Sequence, residues 1–186
     1  MNIDYQIFNK INSLTGKWIY LDDIMVSIAK WGFLLYGIVL MIIWFQKGTI
    51  EEIIKNRKTV LQACLSATIA LGINQLIGLL YFRPRPFIAH HVKLLLDRSP
   101  DPSFPSDHAT GAAAITISLF NQNKFWGIIL TVMSLLLGFS RIYVGTHYPL
   151  DILGGFVTGI FGSYLTNKLW PFIDSIAIKF IELLNL

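Results

Sequence analysis

The sequence predicts an all-α integral membrane protein, a bundle of five or six transmembrane helices with amphipathic surface helices at its termini. Its 186 residues are 54% hydrophobic and only 14% charged, which is more apolar than a soluble domain of this size can easily hide. Several apolar runs approach the length that crosses a bilayer. No linker separates the runs, so we expect a single membrane-embedded domain over residues 1–186.

The two ends of the chain predict helices that lie on the membrane surface. Residues 3–14 carry apolar side chains at helical spacing with polar residues between them. The tail, residues 172–186, has polar residues at positions 174, 175, 179, 182 and 185 and is amphipathic in the same way. If either end crossed the bilayer instead, the bundle would have six spans.

Five apolar runs lie between these ends. The second is the clearest, because it has no charged residue over 24 positions. The third is short and spans only with its polar flanks included. Lys30 falls inside the first run, where it either snorkels or faces a cavity in the protein. The expected spans are Ile24–Phe45, Thr59–Phe82, Ala109–Phe120 with its flanks, Phe125–Tyr143 and Leu150–Trp170.

Small residues mark one face of the fifth span. Gly155, Gly159 and Ser163 follow one another at four-residue spacing. In a membrane such a face lets two helix backbones approach closely. We therefore expect this face to pack tightly against a neighbouring helix.

Charge sets the expected orientation and excludes some partners. Lys47, Lys55, Arg57 and Lys58 place the loop 46–58 on the cytoplasmic side of the membrane. The loops 83–105 and 143–149 then share the extracytoplasmic face. The formal charge of +4 suits anionic headgroups, and no basic stretch alternates with aromatics as nucleic-acid binding requires. The single cysteine, Cys64, cannot form an internal disulfide.

A first polar cluster, Arg83-Pro84-Arg85-Pro86, follows the second span. The prolines end the helix and stiffen the chain. Two guanidinium groups two residues apart are able to bind one phosphate together. The alternative is a positive flank that only anchors the helix to headgroups.

A second cluster, Pro105-Ser106-Asp107-His108, precedes the third span. Ser106 is a favourable N-cap, and a helix N-terminus offers free N–H groups to an anion. His108 in the first turn is then placed to donate a proton to a bound group. The alternative is a cap followed by an interfacial histidine.

The third cluster is the most specific: Ser140-Arg141, then His147, then Asp151. An arginine near the end of a span is costly and so points to function. A carboxylate beside an imidazole orients it and stabilises its cationic form, which makes His147 a candidate nucleophile. The alternative is an ion pair that ties a helical hairpin together.

Together the clusters resemble the type 2 phosphatidic acid phosphatase superfamily, which includes vanadium haloperoxidases and bacterial lipid phosphatases. Its motifs are Lys-x6-Arg-Pro, Pro-Ser-Gly-His and Ser-Arg-x5-His-x3-Asp, and here they would cover residues 78–151. Haloperoxidase chemistry is disfavoured because the haloperoxidases are soluble, whereas this chain is expected to span a membrane. The matching positions are Arg85-Pro86 in the first motif, Pro105, Ser106 and His108 in the second, and Ser140, Arg141, His147 and Asp151 in the third.

Two positions depart from the motifs. The lysine of the first motif falls at Gly78, and we hypothesise that Arg83 replaces it. The glycine of the second motif is Asp107, whose carboxylate must point away from a phosphate or pair with an arginine or lysine. With these two departures and its short length, the chain resembles the bacterial undecaprenyl-diphosphatases of the bacitracin-resistance type.

The resemblance implies a role for each residue. His147 would attack phosphorus and form a phosphohistidine, Asp151 would hold His147, and His108 would protonate the leaving oxygen and then activate water. Neither a metal nor another cofactor is expected, because cations of the chain supply the charge. The implied phosphate-binding set is Arg85, Arg141, Ser106, Asp107, Arg83 and Ser140.

The implied reaction releases phosphate from undecaprenyl diphosphate, a polyprenyl lipid, and leaves undecaprenyl phosphate. That reaction recycles the lipid carrier for cell-wall synthesis and confers bacitracin resistance. Two alternatives remain open. One is a phosphatase of the same superfamily acting on phosphatidylglycerol phosphate, phosphatidate or a diacylglycerol diphosphate. The other is a non-catalytic protein that binds or transports lipid phosphates. The sequence does not indicate an oligomeric state.

Overall fold

A computed structural model describes residues 3–99 and 101–184, and within them every regular element is a helix and there is no strand. This confirms the all-α prediction. The helices are α1 (Ile3–Asn12), α2 (Ile19–Trp31), α3 (Leu34–Trp44), α4 (Ile50–Leu80), α5 (Pro86–Ala89), α6 (Asp107–Gln122), α7 (Lys124–Tyr143) and α8 (Pro149–Leu183).

The N-terminal helix forms as predicted, but it packs on the protein as well as facing outward. Asp4, Phe8 and Asn12 are its buried residues. The Asn12 amide nitrogen donates to the carbonyl oxygen of Tyr143 at 2.9 Å and to that of Lys93 at 2.8 Å. The expectation of a helix lying only on the membrane surface is therefore incomplete, because polar bonds fasten α1 to the end of α7.

The first predicted span is broken into two helices. α2 and α3 bend by 54° at the break that contains Gly32 and Phe33. Lys30 lies in the last turn of α2, directly before that break. The break therefore brings a lysine to the place where the chain changes direction.

The centre of the bundle is formed by α4, α6 and α8. A Cβ atom on Gly159 would lie 2.5 Å from the Thr110 carbonyl oxygen, and one on Gly155 would lie 2.7 Å from that of Ser106. The small-residue face of α8 thus packs directly on α6, as predicted. Since α6 carries the second polar cluster at its first turn, this contact fixes the position of that cluster along the axis of the bundle.

The C-terminal tail is not a separate surface helix, which corrects the sequence-based expectation. α8 continues through Pro171 to Leu183. Ala177 and Ile181 in the continuation are buried, and the ion pair between Lys58 and Asp174 ties it to α4. These contacts offset the one backbone hydrogen bond that a proline removes.

Two helices, α4 and α7, are each long and apolar enough to cross a membrane, and the bent pair α2 and α3 makes a third candidate. α6 has 16 residues, fewer than the roughly 20 that cross a bilayer alone. The direction of the helices brings the end of α4, the start of α6, the end of α7 and the start of α8 to one end of the bundle. All three polar clusters are at that end.

Candidate active site

The polar clusters surround a cavity of about 340 Å³ at this end of the bundle. Its charged and polar lining combines cations, histidines and carboxylates from α2, the loop before α6, α6 itself and the end of α7. The lining includes Lys30, Arg85, Arg141, His108, His147, Asp97, Asp101, Asp107, Ser99 and Thr146.

His147 is held in one orientation between α7 and α8. Its Nδ1 atom lies 2.9 Å from the Ser103 carbonyl oxygen, which can only accept, so Nδ1 carries the proton. Nε2 is then unprotonated, and its lone pair accepts a hydrogen bond from Arg85 Nη1 at 3.3 Å. Burial lowers the pKa of His147 to about 4; Asp151 acts in the opposite direction, and Arg141 and Arg85 add to the lowering. His147 is therefore neutral near pH 7, with a nucleophilic nitrogen toward the cavity.

A glycine makes the turn that presents His147. Gly145 has a φ of +89°, a conformation that residues with a Cβ rarely adopt. A Cβ there would also lie 2.8 Å from the Lys93 carbonyl oxygen. The chain thus passes close to the 83–105 loop just before it delivers the imidazole.

Asp151 lies behind His147, but it does not hold the imidazole directly. Its Oδ2 atom is 3.7 Å from His147 Nδ1, beyond hydrogen-bond distance. Oδ2 instead accepts from the Ser103 hydroxyl at 2.5 Å and from the Tyr148 N–H at 2.7 Å. The expected contact is corrected in this respect: the Ser103 carbonyl sets the tautomer, and Asp151 acts through its charge. Sequence reasoning missed Ser103, whose only signal was its position two residues before Pro105.

Arg85 and Arg141 both face the cavity and are both nearly buried, at 7% and 8% exposed. Arg85 Nε donates to the Asp101 carbonyl oxygen at 3.0 Å. Arg141 Nη1 donates to the Ala29 carbonyl oxygen at 3.2 Å, and its Nε has no partner among the described residues. Burial lowers the pKa of Arg85, although Asp101, Asp151 and Asp107 oppose the effect. Two oriented guanidinium groups with spare donor capacity form an anion site.

Arg83 lies on the other side of Asp151. Its Nη1 atom donates to Asp151 Oδ1 at 2.6 Å and its Nη2 atom to Asp4 Oδ2 at 2.5 Å. It does not line the cavity. The hypothesis that Arg83 replaces the missing lysine is corrected: both of its terminal nitrogens are already engaged by carboxylates.

Two further predicted phosphate ligands, Ser106 and Ser140, are placed differently from each other. Ser106 is the N-cap residue of α6, but its hydroxyl makes no capping bond and is buried without a partner among the described residues. Ser140 is outside the cavity lining, and its hydroxyl donates to the Leu137 carbonyl oxygen at 2.7 Å. Ser106 therefore has a donor to offer a ligand, whereas Ser140 serves its own helix.

Asp107 borders the cavity but is bound by amides, not by an arginine or lysine. Asn74 Nδ2 donates to Asp107 Oδ1 at 2.8 Å, and Gln75 Nε2 lies 3.5 Å from Oδ2. This pairing turns the carboxylate toward α4. The assignment of Asp107 to the phosphate-binding set stays a prediction; its negative charge repels phosphate, and its oxygens already accept hydrogen bonds from Asn74 and Gln75.

Lys30 is a cavity residue that the sequence-based site omitted. It lines the same space as Arg85 and Arg141. It makes no hydrogen bond or ion pair with any residue in 3–99 or 101–184. The signal for it was a charge inside an apolar run, and the break between α2 and α3 explains how that charge reaches the site.

A larger cavity, about 670 Å³, lies at the opposite end of the bundle. Lys55, Lys58 and Asp174 are among its lining residues, and no histidine is. We place the candidate site at the smaller cavity because His108 and His147 line it together with Arg85 and Arg141. Within the described residues, no group of three or more His, Cys, Asp and Glu side chains is arranged to hold a metal ion.

Comparison with known proteins gives consistent results. Residues 59–173 match the PAP2 superfamily. The chain is 41% identical to undecaprenyl-diphosphatase BcrC of Bacillus subtilis, over 98% of this chain and 94% of that protein. It superposes on the crystal structure of LpxE from Aquifex aeolicus with a TM-score of 0.73 and 25% identity, covering 90% of this chain and 96% of that one. The PAP2-type phosphatidylglycerolphosphate phosphatase of B. subtilis gives a TM-score of 0.65 at 26% identity, over 93% and 89%.

Proposed function

The chain belongs to the PAP2 superfamily, and from this premise we propose that it is a membrane lipid phosphatase acting on undecaprenyl diphosphate. The products are undecaprenyl phosphate and inorganic phosphate. The likeness to undecaprenyl-diphosphatase BcrC over nearly the whole chain supports this substrate. The reaction returns a lipid carrier to cell-wall synthesis, and it would confer bacitracin resistance.

One observation carries the chemical part of the proposal. His147 Nε2 is unprotonated and accepts a hydrogen bond from Arg85 Nη1 at 3.3 Å, at the edge of a cavity that Arg141 also lines. A phosphate bound by these guanidinium groups would have its phosphorus next to a neutral imidazole nitrogen. This is the arrangement that in-line attack requires.

The reaction proceeds in two steps. In the first, the Nε2 lone pair forms an N–P bond to the terminal phosphorus, the P–O bond of the anhydride breaks, and His108 gives a proton to the leaving oxygen. In the second, His108 takes a proton from water, the water oxygen attacks the phosphorus, and the N–P bond breaks to release phosphate. Asp151 stabilises the positive charge that His147 carries between the two steps.

Cationic side chains stabilise the charge on the phosphoryl oxygens. We assign this role to Arg85, Arg141 and Lys30, with the unpartnered hydroxyl of Ser106 as an added donor. Lys30 comes from α2 and lies one residue after Ala29, whose carbonyl holds Arg141. Lys30 thus supplies the positive charge of the motif lysine, whose position is occupied by Gly78 in this chain. No metal is required in this scheme.

The apolar part of the substrate has a place beside the site. A second cavity, about 230 Å³, is lined by Phe33, Leu71 and Gln75 and shares Asp107 and His108 with the first. We propose that the isoprenoid tail leaves the active site there, between α3 and α4. A diphosphate in the polar cavity would then have its tail directed toward lipid.

We further propose five spans in one membrane-embedded domain of the bacterial plasma membrane. The spans are the bent pair α2 and α3, then α4, α6, α7 and α8. The lysines and arginine of loop 46–58 favour a cytoplasmic position for it, which directs the active site to the extracytoplasmic face. The lipid substrate would enter from that leaflet.

The test is phosphate release by the purified protein from undecaprenyl diphosphate, phosphatidylglycerol phosphate and phosphatidate at matched surface concentration. We expect the highest kcat/KM with undecaprenyl diphosphate and a loss of at least about 10³-fold in His147→Gln. Higher kcat/KM with either glycerol lipid would favour the related phosphatases. Absence of phosphate release from all three lipids, with lipid-phosphate binding equal in wild type and His147→Gln, would instead favour a lipid-phosphate binder or transporter.

A further inference from the structure

A chain of buried charges continues behind the nucleophile and ends in the first helix. Asp151 is fully buried and Asp4 is 2% exposed. Arg83 lies between them and donates to both, at 2.6 Å and 2.5 Å. A residue at position 4 is thus linked through one guanidinium group to the carboxylate next to His147.

Arg83 is held firmly in this position. Its guanidinium carbon lies 4.2 Å from the centre of the Tyr148 ring, a cation–π distance. Burial alone would lower the pKa of Arg83, but the hydrogen bonds and charges of Asp4 and Asp151 outweigh it and raise the pKa. The group is therefore a permanent cation between two anions.

Asp4 is also bonded to the start of α8. Its Oδ1 atom accepts from the Leu150 N–H at 2.9 Å, while Oδ2 faces Arg83. Leu150 immediately precedes Asp151. Asp4 therefore contacts the start of α8 directly through the Leu150 N–H and is linked to Asp151 through Arg83.

We propose that Asp4 and Arg83 are positioning residues that set the charge felt by His147. This inference depends on the proposed function, since it concerns the histidine that would be phosphorylated. Arg83 pairs with the buried Asp151 through its Nη1 atom. Asp4 balances Arg83, so the three groups together keep one net negative charge beside the imidazole. That charge stabilises His147 when it carries the phosphoryl group and becomes cationic.

The neutral substitution Asp4→Asn separates charge from structure. Asparagine keeps an Oδ1 acceptor for the Leu150 N–H but removes the negative charge. Arg83 then cancels Asp151, so the pKa of His147 falls. We expect kcat to drop about 10-fold with KM within two-fold of wild type, and the acid limb of the kcat/KM profile to move to lower pH.

Asp22→Asn provides the matched control. Asp22 is a carboxylate that fastens the same region through Tyr143, whose hydroxyl donates to its Oδ1 at 2.6 Å, and it has no bond to Arg83 or Asp151. We expect this variant to lower the thermal midpoint in detergent and to leave the acid limb in place. If Asp4→Asn behaves in the same way, α1 is only an anchor and the inference is overturned.

A double variant keeps the test decisive if the single one is poorly folded. Asp4→Asn/Arg83→Gln removes the outer ion pair as a unit and leaves Asp151 with its own charge. We expect the acid limb of its kcat/KM profile to return to within about 0.3 pH of wild type. A purely structural role instead predicts a loss of kcat at least as great as in either single variant. A double variant with a limb as displaced as that of Asp4→Asn would overturn the inference. Wild-type phosphate release and its loss in His147→Gln report on the proposed function separately.

Discussion

His147 donates its Nδ1 proton to the main-chain carbonyl oxygen of Ser103 at 2.9 Å. Where a carboxylate fills this place, it fixes the tautomer and supplies the charge at once. Here the two tasks are divided. The backbone fixes the tautomer, while Asp151, 3.7 Å from Nδ1, contributes only a negative charge.

This division predicts a moderate effect of Asp151→Asn. The carbonyl of Ser103 still holds the imidazole in its reactive tautomer, so only the charge and the cap at the start of α8 are lost. We expect kcat for undecaprenyl diphosphate to fall roughly 10²-fold, compared with about 10⁴ in enzymes where the carboxylate sets the tautomer. Steady-state kinetics on the purified variant measure this. An unchanged kcat would mean that the negative charge of Asp151 does not contribute to the reaction.

The lowered pKa of His147 predicts a pH-dependent contribution to stability. The unfolded chain binds a proton on this histidine below its ordinary pKa of 6.5, whereas the folded protein binds it only below about 4. The contribution is therefore complete above pH 6.5 and is lost as the pH falls to about 4, by about 3 kcal/mol in all.

Thermal midpoints in detergent between pH 7 and pH 4.5 check this for wild type and His147→Gln. The wild-type midpoint should decline more steeply with falling pH, because glutamine cannot take up the proton. Parallel curves for the two proteins would show that burial of His147 does not oppose its protonation.

Lys30 provides a test of the phosphate-binding set. Lys30→Met keeps the length of the side chain and removes its charge from the cavity. We expect kcat/KM for undecaprenyl diphosphate to fall about 10- to 100-fold, because a cation facing the phosphoryl oxygens is missing. Lys17→Met is the control, since Lys17 is exposed and outside the cavity lining. Equal kcat/KM in the two variants would mean that Lys30 does not bind the phosphate and is only a charge at the membrane interface.

The sequence was sufficient for the all-helical class, which follows from the hydrophobic pattern. It was also sufficient for the meeting of the clusters, because two predicted spans separate the loops 83–105 and 143–149 and return the chain to the same side. It was insufficient where a side chain chooses between partners. Arg83 and Arg85 look equivalent in the sequence, yet one binds two carboxylates and the other faces the cavity. Only the buried Asp4, about 80 residues away along the chain, separates their roles.

Backbone groups were equally hidden from sequence reasoning. The Ser103 carbonyl could not be inferred, since every residue has a carbonyl and only the fold decides which one meets His147. The extent of α8 was misjudged for a related reason. The predicted fifth span ended at Trp170, but α8 continues through Pro171, and Ala177 and Ile181 in the continuation are buried.

The proposed mechanism predicts activity without a divalent cation. Arg85, Arg141 and Lys30 already provide positive charge at the phosphate position, so no metal is needed to stabilise the transition state. Phosphate release should stay within about two-fold of its initial rate in excess EDTA. Complete loss of activity in the chelator, restored by adding Mg²⁺ or Zn²⁺, would contradict the mechanism.

The close contact of α6 and α8 predicts that Gly159→Ala destabilises the protein and slows it. The new Cβ would lie 2.5 Å from the Thr110 carbonyl oxygen and 2.7 Å from the Ala113 Cβ, so α6 must shift. We expect a loss of about 1–3 kcal/mol, seen as a lower thermal midpoint, and a lower kcat because His108 moves with α6. Gly72→Ala is the matched control, since nothing lies within 4 Å of its Cβ and alanine is the better helix former by about 1 kcal/mol. A midpoint that rises in both variants would mean that the helices can separate without loss, and that the height of His108 does not depend on this contact.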